Sequence, residues 1–246
     1  MIKIFRKTRQ KFLAENKFSK YLVYAIGEII LVVIGILIAL QINNWNESRK
    51  DDLQLQEYEQ SLIGELRTDL ARLKALDSVN SKKKKAIKNY FDYYHSENPE
   101  SEVLLQEMNS LDISKRAFYT TTYTIEDLIT TGNLTLFPES KRIAILKLKN
   151  VHEQYSFYES SSMQDVALYE QEIKKNFDLV LLTGLSGKER EETKSWELNP
   201  ESNQLRILNN SVVESLKLFE FQSELYQVII KETTELLELL SKNNKG

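Results

Sequence analysis

From Tyr21 to Ile42 the chain reads YLVYAIGEIILVVIGILIALQI, with Glu28 and Gln41 as the strongly polar residues. As a helix rising about 1.5 Å per residue, this stretch covers roughly 30 Å, the thickness of a bilayer's hydrocarbon. A core helix of a soluble protein usually keeps a polar stripe. IILVVIGILIAL is apolar on every face. Residues 21–43 therefore read as a transmembrane helix in membrane lipid. Tyr21, Tyr24 and Trp45 lie near its two ends, where amphipathic rings settle at the interface.

The flanks set the direction. Lys3, Arg6, Lys7, Arg9, Lys11, Lys17 and Lys20 precede the span, while Arg49 and Lys50 are the nearby bases after it. The positive-inside rule puts the N-terminus in the cytoplasm and residues 47–246 on the other side. The apolar run is too long for a cleaved signal, and ALQINNW offers no small-x-small cleavage site. The segment reads as an uncleaved signal anchor. Residues 1–20 form a basic segment in which Ile2, Phe5, Phe12 and Leu13 can share one helical side. Such a segment either lies on anionic lipid or serves only to orient insertion. About twenty residues leave no room there for an output domain.

Glu28 is the anomaly. On a helix, residues 28, 35 and 39 fall close to one face. That face holds Glu28, Gly35 and Ala39, with Gly27 and Leu31 beside it. Gly35 and Ala39 form a small-xxx-small pair, which lets two helix backbones approach closely in lipid. A charged carboxylate facing hydrocarbon costs several kcal/mol, about 3 on insertion scales. It escapes by taking a proton or by finding a donor on another protein helix, and the small residues on its face favour the second. The alternative is that Glu28 sits shallow, reached by water from the cytoplasmic side.

The segment MIKIFRKTRQKFLAENKFSKYLVYAIGEIILVVIGILIALQINNWNESRK resembles the N-terminal signature of an uncharacterised, domain-of-unknown-function family of Gram-negative membrane proteins. The element TYTIEDLITTGNL, Tyr123 to Leu134, is similar to a later element of that family. The resemblance implies a single-pass membrane protein; in a Gram-negative cell the direction set by the flanks would make it an inner-membrane protein with the bulk of the chain in the periplasm. It implies no activity, cofactor or catalytic residue.

Beyond the span the pattern is helical throughout. With seven Gly and three Pro, the chain has few natural turn points. Each proline precedes a glutamate, as Pro99-Glu100, Pro138-Glu139 and Pro200-Glu201, a pairing that predicts helix starts. The first outer helix is expected from about Glu47 to His95 through Leu55, Tyr58, Leu62, Leu66, Leu70, Leu73 and Leu76, continuing directly from the membrane helix. It carries Lys82 to Lys85, read as a solvated face or a local break. Short helices follow at 99–111 and from Thr124 to Gly132. A long helix over 138–182 is expected to bury Ile143, Leu146, Val151, Tyr155, Tyr158, Val166, Tyr169, Ile173 and Phe177. The last helix, over 200–240, presents Leu208, Val212, Leu216, Phe219, Tyr226, Ile229, Thr233 and Leu237. The fold class is all-α, an antiparallel helical bundle behind one membrane helix.

Chemistry is hard to find in this pattern. The chain has no cysteine, which removes disulfides, thiol catalysis and Cys-ligated metals. A net charge of −3 argues against nucleic acid. His95 and His152 have no metal-ligand spacing and read as packed or exposed side chains. No phosphate loop, nucleophile elbow or dinucleotide fingerprint occurs, so neither cofactor nor catalytic residue is assigned. The tyrosines serve bundle packing or line an aromatic pocket. The sequence therefore points to a non-enzymatic protein working by contact, through self-association or a membrane protein partner. The alternative is an accessory subunit of a transporter or ion-driven complex using Glu28.

Overall fold

The computed structural model describes residues 18–177, 199 and 201–242. Residues 1–17, 183–198 and 200 and the expected end of the long helix at 178–182 lie outside the described residues. Among the described residues there is no strand. The chain divides into two units, residues 1–57 and 58–246.

Helix α1, Phe18–Tyr94, is unbroken. It carries the apolar stretch of the first unit and then the first helix of the second. No proline falls within it, and the tetralysine does not interrupt it. Within the first unit no residue from Leu22 to Trp45 is buried, and Leu31 and Val23 are both 71 % exposed. One helix is thus long and apolar enough to cross a membrane.

The second unit adds α2, Ser101–Ser110; α3, Tyr123–Thr130; a 3-10 turn, Asn133–Leu136; α4, Glu139–Asn176; and α5, Asn203–Ser241. Two sets of bonds give the directions of the long helices. Asp77, Asn80 and Tyr90 on α1 pair with Gln227, Gln222 and Asn209 on α5, so the two run antiparallel. Lys147 and Glu159 on α4 pair with Glu232 and Gln222 on α5, again antiparallel. Helices α1 and α4 therefore run the same way. The chain between them must return along the bundle, and it is this return that builds the candidate site.

Leu62, Leu66, Leu73, Ile87 and Tyr90 of α1 are buried at the spacing expected of a core stripe. Leu205, Val212, Phe219, Tyr226, Ile229 and Leu236 of α5 meet them from the opposite helix. Fully burying such a side chain stabilises the fold by about 1.5–3 kcal/mol.

Several expectations need correction. Helix α4 buries Lys141, Ile145, Leu148, Tyr155, Glu159 and Val166. Ile143, Leu146 and Tyr158 are instead 59 %, 42 % and 49 % exposed. Tyr155 and Val166 are buried as expected, but the polar Lys141 and Glu159 occupy part of the buried stripe, so an apolar periodicity finds that face only in part. The proline starts also shift. Pro138 is the N-cap rather than the first residue of its helix, and Glu100 takes that place for α2. Helix α5 begins three residues after position 200, where the Ser202 hydroxyl accepts from Leu205 N at 3.2 Å. Asn199 forms a turn instead, its side chain accepting from Glu201 N at 3.0 Å. Lys83, expected in a solvated face, is buried. Its ammonium donates to the Ser114 hydroxyl at 2.9 Å, pairs with Asp112 at 3.2 Å and lies 5.1 Å from the Phe219 ring centre.

Candidate functional site

In the first unit Glu28 is partly covered, while Gly27, Leu31, Gly35 and Ala39 are exposed. A Cβ added at Gly27 or Gly35 would meet nothing within 4 Å, so the small-residue face has room for another helix. Tyr24 is half-exposed and Trp45 is 65 % exposed. The side chain of Tyr21 lies outside the described residues.

In the second unit, the inward polar residues of α1 hold the returning chain at successive levels. Lys83 takes Ser114 and Asp112, as above. About four turns towards the N-terminus, the buried Asp69 carboxylate accepts from the Thr120 hydroxyl (2.6 Å), the Thr121 hydroxyl (2.7 Å) and Thr121 N (2.9 Å). Glu65 accepts from Thr124 N at 3.1 Å and from the Thr124 hydroxyl at 2.9 Å. Tyr58 donates to Asp127 at 2.8 Å and accepts from Asn133 Nδ2 at 2.8 Å. Residue numbers fall on α1 as they rise on the return. Backbone N–H groups of an irregular segment need acceptors when buried, and these carboxylates supply them. Gly132, at φ +77°, lets the chain leave α3 in the left-handed conformation that side chains resist.

The segment so held packs against α4 and leaves a cleft of about 300 Å³ between them. Thr120, Thr122, Tyr123, Ile125 and Glu126 line one wall, with Lys149, His152, Glu153 and Ser156 on the other. A second cavity of about 160 Å³ shares Thr120, His152 and Ser156 and adds Phe118, Tyr119 and Tyr155. His152 Nε2 is shut from solvent and has no hydrogen-bond partner. Its ring stands edge-on to Phe118 at 6.1 Å. Burial pushes the His152 pKa down, against the opposing pull of Asp69, so the imidazole is neutral near pH 7. At the rim Lys149 pairs with Glu153 and, at 3.4 Å, with Glu126.

Beside the cleft the core itself is polar. Glu159 accepts from Tyr155 and, at 2.7 Å, from Gln222 Nε2, whose Oε1 accepts from Asn80 at 3.1 Å. Gln222 also donates to the Arg116 carbonyl at 3.1 Å. One carboxylate and two amides thus tie α1, α4, α5 and the return segment together. Burial pushes the Glu159 pKa up, more than its three hydrogen bonds lower it. Burial likewise raises Tyr226 to about 12.

His152 is one of two histidines read from the sequence as packed or exposed. It is packed, and it also lines both cavities. His95 is exposed, with Nδ1 at 2.8 Å from the Phe91 carbonyl. Of the tyrosines, Tyr119, Tyr123 and Tyr155 reach cavity walls, while Tyr90 and Tyr226 pack the core. Asp69, Glu65 and Glu159 went unrecognised in the sequence, where each is one acid among 36. Their helical register with Leu62, Leu66 and Tyr155 was the available signal. Among the described residues no group of His, Asp and Glu is placed to hold a metal ion.

A model of a family of unknown function (DUF6090) matches residues 28–183. The chain belongs to this family. The matched region begins at Glu28, takes in Gly35 and Ala39, and contains the whole return segment with its Tyr123 to Leu134 element. His152 and Glu159 fall inside it, and α5 falls outside. No curated protein and no solved structure matches the chain.

Proposed function

We propose that this family member is a single-pass inner-membrane protein with a cytoplasmic N-terminus and a periplasmic helical domain, working by protein contact rather than catalysis. The observation that carries the reading is the uncovered apolar helix. From Leu22 to Ile42 the large side chains stand exposed, a surface that water does not tolerate and lipid does. The bases before the span and their scarcity after it support the direction. The resemblance of the N-terminal segment supports a Gram-negative inner membrane as its setting.

The contact assigned to the span is with a second copy, through Glu28, Gly35 and Ala39. The open space at Gly35 supports it, since a partner helix can approach the backbone there. Alkaline phosphatase fused at the C-terminus tests the topology: enzymatic activity supports it, and an inactive fusion reverses it. A membrane two-hybrid assay tests the contact. Glu28→Gln and Gly35→Leu should each weaken self-association, and undiminished signal in both would refute it. Association intact but cellular function lost in Glu28→Gln would favour an ion-coupled accessory subunit instead.

A further inference from the structure

The cleft between the return segment and α4 has a chemistry of its own, independent of any contact in the membrane. Its inner wall is apolar, from Ile125 and the neighbouring Phe118, and both are buried. Tyr119 and Tyr123, on the cavity walls, are 72 % and 73 % exposed, so their rings are available to a ligand rather than spent on the core. Its polar groups are biased towards accepting hydrogens. Glu126 and Glu153 are carboxylates, and Thr120, Thr122 and Ser156 are hydroxyls. Lys149 is the one cation among the lining residues, and two carboxylates already hold it. The rim therefore carries a net charge of −1, two acids against one base. An anionic ligand would have to displace those carboxylates, while a cation shares them with Lys149 and meets the tyrosine faces. A volume of about 300 Å³ stands at the small end of ligand pockets.

We propose that the cleft binds a small organic amine with an apolar body. Glu126 and Glu153 receive the ammonium group, and the body rests on Ile125 and the tyrosine rings. The site needs both walls, since α4 supplies Glu153 and the return segment supplies Glu126, Ile125 and the tyrosines. Ligand occupancy would thereby reinforce the seat of the Tyr123 to Leu134 element on α4.

Isothermal titration of the full chain in mild detergent tests this, with phenethylamine as the probe. Phenylacetate and 2-phenylethanol serve as the anionic and neutral counterparts of similar size. The amine should give saturable heat and bind about tenfold tighter than either counterpart, the scale of one hydrogen bond to a charged group. Ser156→Trp, at an exposed position on the cleft wall, should abolish the heat while leaving the helical circular dichroism unchanged. The Glu126→Gln, Glu153→Gln double variant should remove the preference for the amine over the alcohol. Equal or tighter binding of phenylacetate overturns the assignment. So does amine heat that persists in Ser156→Trp, which would be partition into detergent, or an absence of saturable heat below about 10 mM.

Discussion

Asp69 is the residue whose removal the structure prices most clearly. It is 1 % exposed and accepts from Thr120 and Thr121 through both carboxylate oxygens. In Asp69→Ala the Thr121 N–H and two hydroxyls lose their acceptor. Hydrogen bonds to charged groups contribute about 1.5–3 kcal/mol each, but they are not additive, and the hydroxyls can turn elsewhere. Charging one strong bond and one stranded N–H gives a loss of about 3 kcal/mol. For a domain of this size that is a fall in Tm of about 6–12 °C. Thermal melting of the full chain in detergent, followed by circular dichroism, reads it. Thr121→Val removes one hydroxyl of the same cluster and should cost about 1 kcal/mol. The double variant should be less destabilised than the two singles summed, because both delete the same bond. Strict additivity, or a Tm within about 2 °C of wild type for Asp69→Ala, would refute the claim that this carboxylate seats the return segment.

Three further outcomes follow from the same geometry. Gly132→Ala forces a Cβ into a left-handed backbone at φ +77° and should cost about 1 kcal/mol in a thermal melt, although open space surrounds the position. Lys83→Ala should destabilise by about 1–2 kcal/mol, through the buried side chain lost from beside Phe219 and its hydrogen bonds to the exposed Ser114, whereas Lys88→Ala should change little, since Lys88 pairs with Glu220 across an exposed surface. Glu159 gives a pH signature. Burial raises its folded pKa above the unfolded value of 4.5, so its favourable contribution is full below that value and is lost as pH rises through the folded one. The stability of Glu159→Gln relative to wild type should therefore grow as pH rises above about 4.5, and a flat difference across parallel melts would contradict the burial argument.

How much of this could be read from the sequence depended on whether a residue's neighbours shared its chemistry. Leu62, Leu66 and Leu73 announce the inner face of α1 because the inward positions between them are few and the solvent side is charged. The helical class was legible for the same reason, as was the continuity of α1 through NNWNESRK, which has no breaker. The face of α4 was not legible. Lys141, His152 and Glu159 point inward there, while Ile143 and Leu146 point out, so the helix has almost no amphipathic signal to read. An inward lysine makes sense only once Glu59 is found at 2.7 Å, and an inward glutamate only once Gln222 arrives from a helix 63 residues later.

The candidate cleft lay further out of reach, and the reason is topological. Two long helices running the same way need a connection that travels back the whole distance between their ends. A connection of that length with little secondary structure would strand its backbone polar groups against the core. Here the first helix supplies the missing partners from its own inward face, Lys83, Asp69, Glu65 and Tyr58 in turn. The acids that look like surface residues in the sequence are therefore the means by which an irregular strap is tolerated in a helical core. The strap bonds to α1 along one side, which leaves its other side, with Tyr123 and Glu126, turned to α4 and free to form a cleft. Polar residues placed for folding thus create a wall of the bundle that helix-to-helix packing does not fill. A substitution that loosens the strap from α1 should consequently disturb the cleft before it disturbs the long helices. In Asp69→Ala, protease cutting within residues 112–122 should rise at temperatures where the helical signal is still intact. Simultaneous loss of both would mean that strap and bundle form a single cooperative unit.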